Sequence, residues 1–295
     1  MSFSSELKEE LSKINNLTNK EQLKYELIGY LLTANTSILR GKDVRYATES
    51  EYNINRLAKL LKNLQINYGI EMEGNLFVIK FKSKNISFLN IDESSKTYIL
   101  EEKEAMEINI ECVRALIRGT FLGGGSVNNP EKKYHLEIVF SSLYNAELIK
   151  KLLERLDINM KLYDKNKYSL YVKDGEAISE ILAFLGANKS VLDFEEIRVK
   201  RQMRAKVNRI VNCETANLNK TINASIEQIE AIKKLKESNY FHKLNDSLKE
   251  IANLRLENPD MPLSELGKLL KEPLGKSGVN YRLKKIVDIA KELKN

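Results

Sequence analysis

Leu27-Ile28-Gly29-Tyr30-Leu31-Leu32-Thr33-Ala34-Asn35 and Ile117-Arg118-Gly119-Thr120-Phe121-Leu122-Gly123-Gly124-Gly125 are two apolar helical runs with a glycine at the third position of each. The segments downstream of them are duplicated as well. Ser50–Phe81 lies over Ser142–Lys173 without a gap, with identities at Ser50/Ser142, Tyr52/Tyr144, Asn53/Asn145, Lys59/Lys151, Leu60/Leu152, Leu61/Leu153, Leu64/Leu156, Ile66/Ile158 and Asn67/Asn159. A repeat at fixed offset predicts two similar αββ-type halves, each too small to bury its own apolar face and therefore packed against the other. Neither glycine-bearing run ends in a carboxylate.

Periodicity fills in the halves. The first reads as a helix over Lys20–Thr33, a strand pair at Ser37–Arg40 and Val44–Thr48, a helix over Tyr52–Leu64, and strands at Tyr68–Glu73 and Leu76–Phe81. The second reads as a helix over Ile110–Leu122, a strand at His135–Phe140, a helix over Tyr144–Leu156, and strands near Met160–Tyr163 and Tyr168–Val172. Asn85–Ala105 is expected to be a connecting excursion.

Beyond Gly186 the character changes. Arg198, Lys200, Arg201, Arg204, Lys206 and Arg209 stand in a stretch without an acid, most of them on one side of a helix. Asn212–Asn223, rich in Asn and Thr, reads as a joint. The expected division is 1–212 for the two-repeat domain ending in a basic helix, 213–222 for a linker and 223–295 for an all-helical domain. In that last part Ile226, Ile229, Ile232 and Leu235 form one stripe and Leu248, Ile251, Ala252 and Leu254 begin another. Pro262 opens a short helix in which Leu263, Leu266, Leu269 and Leu270 face inward, with Gly267 where two helices could approach closely. Pro273 stops it, and Ser277 is placed to cap the final helix. Val279, Leu283, Ile286, Ala290 and Leu293 make that helix's buried stripe. Opposite stand Lys276, Asn280, Tyr281, Arg282, Lys284 and Lys285. The pair fits a helix-turn-helix: Asn280 and Arg282 can make bidentate contacts to base edges, and the lysines suit phosphates.

Composition narrows the alternatives. The 295 residues are 42% hydrophobic and 30% charged, enough to bury sizeable cores, and the net charge of +7 favours a polyanionic partner. No apolar run of about 18 residues predicts a membrane helix, and Met1–Lys13 lacks the apolar core of a secretory signal. Cys112 and Cys213 read as ordinary reduced thiols of a cytoplasmic protein. His135 and His242 lack partners at ligand spacing, so neither a zinc site nor any cofactor is expected.

The glycine-bearing helices resemble the LAGLIDADG motif of homing endonucleases, whose two such helices pack along a pseudo-twofold axis and each deliver one carboxylate to the metal at the cutting site. Aligned on Gly29 and Gly119, those positions fall on Ala34 and Gly124, which hold no hard cation; Asp43 and Glu49 belong to the strand region. The whole chain resembles the WhiA family of transcriptional regulators, in which a degenerate homing-endonuclease fold precedes a helix-turn-helix domain. The motifs are Arg118–Val127, Tyr134-His135-Leu136-Glu137, Asn208–Asn217 and Lys276–Leu283.

The expected fold is therefore α+β, a duplicated αββαββα LAGLIDADG-like domain followed by an all-α helix-turn-helix domain. The resemblance implies a bacterial, nucleoid-associated regulator that binds double-stranded DNA at promoters, linked to cell division and, where it occurs, sporulation. It would have no nuclease activity. Lys276, Ser277, Asn280, Tyr281 and Arg282 are expected in the groove. Lys284, Lys285, Arg198, Lys200, Arg201 and Arg204 are expected on phosphates. Protein partners in transcription are allowed and a monomer is favoured. Two other readings stay open: an active endonuclease, and an N-terminal domain that is a protein or ligand module.

Overall fold

Matching side-chain caps start the matching helices of the computed structural model, which describes residues 2–39, 43–83, 86, 90–92 and 96–293. Asn19 caps α2 (Lys20–Leu31) and Asn109 caps α5 (Ile110–Gly124). Ser50 caps α3 (Glu51–Asn63) and Ser142 caps α6 (Leu143–Glu154), each oxygen accepting from the N–H three residues on at 3.3 Å. Gln65 and Asp157, just beyond these two helices, both have positive φ, at 57° and 58°. The repeat thus extends to the turn geometry.

The first compact unit is Met1–Gln202. Strands β1 (Thr36–Ile38), β2 (Asp43–Thr48), β3 (Tyr68–Glu73) and β4 (Leu76–Lys82) form an antiparallel sheet in the order β1-β2-β4-β3. A hairpin of β5 (Asn90–Asp92) and β6 (Thr97–Ile99) and the short α4 (Glu102–Glu107) come next in the chain. The second sheet, of β7 (Gly125–Val127), β8 (Leu136–Phe140), β9 (Lys161–Tyr163) and β10 (Tyr168–Val172), has the equivalent order β7-β8-β10-β9. Of the expected connecting excursion, residues 85, 87–89 and 93–95 lie outside the described residues; the rest carries the β5–β6 hairpin and α4, with Tyr98, Leu100 and Ala105 in the core. Arg40, expected at a strand end, lies outside the described residues.

The two halves meet at their glycines. A Cβ on Gly29 would sit 2.3 Å from the carbonyl oxygen of Leu116, and one on Gly119 would sit 2.0 Å from that of Glu26. Only glycine lets the two backbones approach this closely. Past the helix ends the halves are stitched by backbone: Ser141 N–H donates to Leu32 at 3.0 Å and Ala34 N–H to Val139 at 3.2 Å. Beside the crossing lies a buried charge cluster. The Glu26 carboxylate accepts from Arg56 Nε at 2.7 Å, Arg56 Nη2 at 2.9 Å, Asn16 Nδ2 at 3.2 Å and Arg118 Nη1 at 3.4 Å.

Met1–Lys13 contributes more than its charge mixture suggests. It forms α1 (Phe3–Ser12), whose Leu7 and Leu11 are wholly buried. The α1 carboxylate of Glu10 accepts from the backbone N–H groups of Lys189 and Ser190 at 2.8 and 2.9 Å. It thereby anchors the start of α8 (Asn188–Glu237), where negative charge is favoured. Helix α7 (Gly175–Leu185) precedes it and ends on Gly186 at φ 88°.

The expected linker at 213–222 is corrected: these residues lie inside α8, a helix of 50 residues. Asn and Thr have weak helix propensity, but the span from 188 to 237 contains no Gly or Pro to end it. Thr221 Oγ1 also donates back to the Asn217 carbonyl at 3.0 Å, turning a competing hydroxyl inward on its own helix.

The second unit, Met203–Asn295, packs the end of α8 with α9 (Asp246–Glu257), α10 (Leu263–Leu266), a 3-10 turn at Gly267–Leu269, and α11 (Lys276–Glu292). Ile232, Leu235, Leu248, Ile251, Leu266, Val279, Leu283 and Ile286 are its core. Two apolar assignments change. Leu269 is exposed because the 3-10 turn rotates it outward, and Ile226 is exposed one turn before the stripe on α8 becomes covered.

Candidate nucleic-acid interface

Helix α11 buries Val279, Leu283, Ile286, Val287 and Ala290. Lys276, Asn280 and Lys284 succeed one another at four-residue spacing on the opposite side, with Ser277, Tyr281 and Lys285 in the next row. All six are exposed, Tyr281 at 68%. The first acid of the helix is Asp288, so the first three turns present cations and hydrogen-bonding groups alone. Arg282 is the exception. It is half-buried on the flank, because two residues beyond Asn280 is about 200° around a helix.

Ser277 does not cap this helix. Gly275 occupies the cap position, with no side-chain acceptor, and Ser277 falls in the first turn. The cause is the preceding turn. Leu274 N–H donates to the Gly267 carbonyl at 3.0 Å, and a Cβ on Gly267 would meet Leu274 O at 2.1 Å. That contact starts the helix early, and it puts the tightest approach of Gly267 at the turn residue Leu274, with Val279 of α11 next at 3.0 Å, where the sequence pointed to two helices. Lys271 N–H donates to Glu250 of α9 at 2.7 Å, so the long turn is fixed at both ends.

The basic stretch divides. Arg198 Nε lies 2.9 Å from Glu195, and Lys200 pairs with Glu196. Arg201 sits over the Tyr134 ring at 4.5 Å and donates to the Pro130 carbonyl. Arg204, Lys206 and Arg209 are exposed. Acids one turn upstream, and an aromatic far away in sequence, thus engage three of the cations assigned to phosphates; a window confined to Arg198–Arg209 shows neither.

At the ends of the glycine-bearing helices the metal-binding option does not fit. Ala34 offers a methyl group and Gly124 nothing, and a Cβ on Gly124 would lie 2.5 Å from Val139 O and 2.9 Å from Thr33 Cβ. Strand β8 stands where a carboxylate would begin. Asn35 Nδ2 donates to the Gly123 carbonyl at 2.7 Å, a neutral contact in the same place.

Sequence comparison agrees with both units. Residues 113–204 match the family model of the WhiA LAGLIDADG-like domain and residues 207–290 that of the WhiA C-terminal HTH domain. The "Probable cell division protein WhiA" of Clostridium tetani is 37% identical over 319 residues, covering 99% of this chain and 98% of that protein. The chain belongs to the WhiA family. The protein of the same name from Thermoanaerobacter sp. (strain X514) is 39% identical over 317 residues, covering 100% and 98%. The crystal structure of full-length WhiA from Thermatoga maritima superposes with a TM-score of 0.62 at 28% identity, over 100% of both chains. That of a WhiA N-terminal LAGLIDADG domain gives 0.52 at 26%, over 63% of this chain and 92% of its own. The WhiA fold is thus a LAGLIDADG-like domain followed by a helix-turn-helix domain, as expected. Among the described residues, no helix is long and apolar enough to cross a membrane.

Proposed function

We infer that this chain is a bacterial regulator that binds double-stranded DNA sequence-specifically at promoters, in a role connected with cell division and, in sporulating hosts, sporulation. The observation that carries this is the acid-free, exposed face of α11, opposite a helical core and reached by a fixed turn. Asn280 reads a base edge, while Tyr281 and Ser277 line its path and Lys276, Lys284 and Lys285 contact phosphates. Arg282 reaches DNA only from the flank. The N-terminal domain is a scaffold without nuclease chemistry, because the metal-binding positions offer Ala34 and a sterically closed Gly124. Such a regulator works at the nucleoid, in the cytoplasm.

Competition binding across several salt concentrations tests it. Asn280→Ala is expected to lose about 1–3 kcal/mol at a preferred site with little change on random DNA, and Lys284→Ala to weaken both while lowering the salt slope by about one. Equal weakening of both DNAs by Asn280→Ala would remove that residue from base reading. Nicking of supercoiled DNA in magnesium, abolished by mutating one carboxylate of this chain, would restore the endonuclease reading.

A further inference from the structure

Arg255, near the end of α9, is a buried cation that no carboxylate among the described residues answers. It is 3% exposed, and its Nη1 donates to the carbonyls of Met261 at 2.9 Å, Pro259 at 3.2 Å and Asn258 at 3.4 Å. These contacts hold the loop after α9 but bring no negative charge, and Nε has no partner among the described residues. Burial alone, with no anion acting on it, pulls the guanidinium below its ordinary range. A buried charge in this condition is costly unless an opposite charge reaches it.

The arginine lines a cavity of about 250 Å³ shared with Lys220, Gln228, Ser264 and Lys276. No carboxylate occurs among the described residues of its wall. Gln228 is 7% exposed and its Oε1 has no donor among the described residues. At about 30 Å³ for a water-sized group, the space takes several such groups, enough for a tetrahedral oxyanion and a substituent. Its wall draws one cation each from α8, α9 and α11: Lys220, Arg255 and Lys276. Three cations without a carboxylate suit a phosphate, which carries up to about two charges, better than a singly charged carboxylate.

We propose that this cavity binds a phosphate group. The group belongs either to a free phosphorylated small molecule or to the DNA backbone, and only the second source rests on the DNA-binding reading. Lys276 stands on both the cavity and the exposed face of α11, so occupancy and DNA affinity are linked through one side chain.

The test uses the full chain and inorganic phosphate titrated by calorimetry against chloride at matched ionic strength. Arg255 variants would disturb the loop, so the informative substitutions are Lys220→Gln and Ser264→Ala, both at exposed positions. Saturable phosphate binding, weakened about tenfold by Lys220→Gln, is the expected result. If free phosphate does not bind but both variants lose DNA affinity, and Lys220→Gln lowers the salt slope by about 0.9, the occupant is the DNA's own phosphate and the site stands. Phosphate binding indifferent to both variants, or no response of either ligand to them, overturns it. Asn280→Ala lies outside the cavity. If that variant leaves DNA recognition untouched while phosphate still saturates, the reading of α11 fails and the cavity assignment survives.

Discussion

Glu26 shows how much one side chain can hold at the centre of a duplicated fold. It is wholly buried and accepts from two arginines and an amide, so the cluster is stable only while its single negative charge remains. Glu26→Gln keeps the shape and deletes the charge, leaving Arg56 and Arg118 facing each other without a counter-ion. Chemical denaturation should show a loss of about 3–5 kcal/mol. A loss below about 1 kcal/mol would mean that water reaches the arginines. Lys8 is the opposite case. Burial lowers its amine to about 8, beside a cleft of about 610 Å³. The unfolded chain keeps that proton up to about pH 10.5. Between pH 8 and 10.5 the unfolded state therefore binds more protons, and the contribution of Lys8 to stability rises with pH. Below pH 8 both states are protonated and the penalty is complete, about 1–3 kcal/mol after allowance for water in the cleft. Lys8→Met should be more stable than the parent by this amount at pH 7, the gap closing by pH 10. The tyrosines cancel in that comparison. Parallel stability curves across this range would show the amine to be solvated.

At the scale of elements, the crossing of α2 and α5 is where tolerance ends. Gly119→Ala places a methyl group 2.0 Å from the Glu26 carbonyl, and neither backbone can move without breaking the ladder of its own helix. A loss of about 3 kcal/mol is expected, whereas Gly69→Ala, on the open strand β3 with nothing near its Cβ, should cost under about 1 kcal/mol. Similar midpoints for the two variants in urea would disprove the tight crossing. This crossing was readable from the sequence because the repeat names both glycines. The sequence pairs Ser50 with Ser142 in the repeat, but their role as caps shows only in the structure. Helix α8 was not readable. Its Asn- and Thr-rich centre carries the composition of a joint, and only the lack of any Gly or Pro hints that the helix continues. The early start of α11 was equally hidden, because it arises from the contact of Leu274 with Gly267 across the turn.

For the whole molecule, cations count by what surrounds them. Arg201 and Arg204 look equivalent in the sequence, yet one is stacked on Tyr134 and the other is exposed. Arg201→Gln should cost about 1–2 kcal/mol of stability. Arg204→Gln should leave the melting curve unchanged and flatten the salt dependence of DNA binding by about 0.9. A reversed pattern, seen by combining denaturation with binding at several salt concentrations, would exchange their roles. Such pairings depend on residues remote in sequence, as do the loop carbonyls around Arg255, so periodicity cannot reveal them. The wall at Gly124 has a consequence for history. A single nucleotide change converts a glycine codon to an aspartate codon, so a lone absent carboxylate would ordinarily be one mutation from return. Here the strand carbonyl of Val139 stands 2.5 Å from where that side chain would start. An acid at this position would first demand that β8 move, and selection would have to favour that movement before the carboxylate could act.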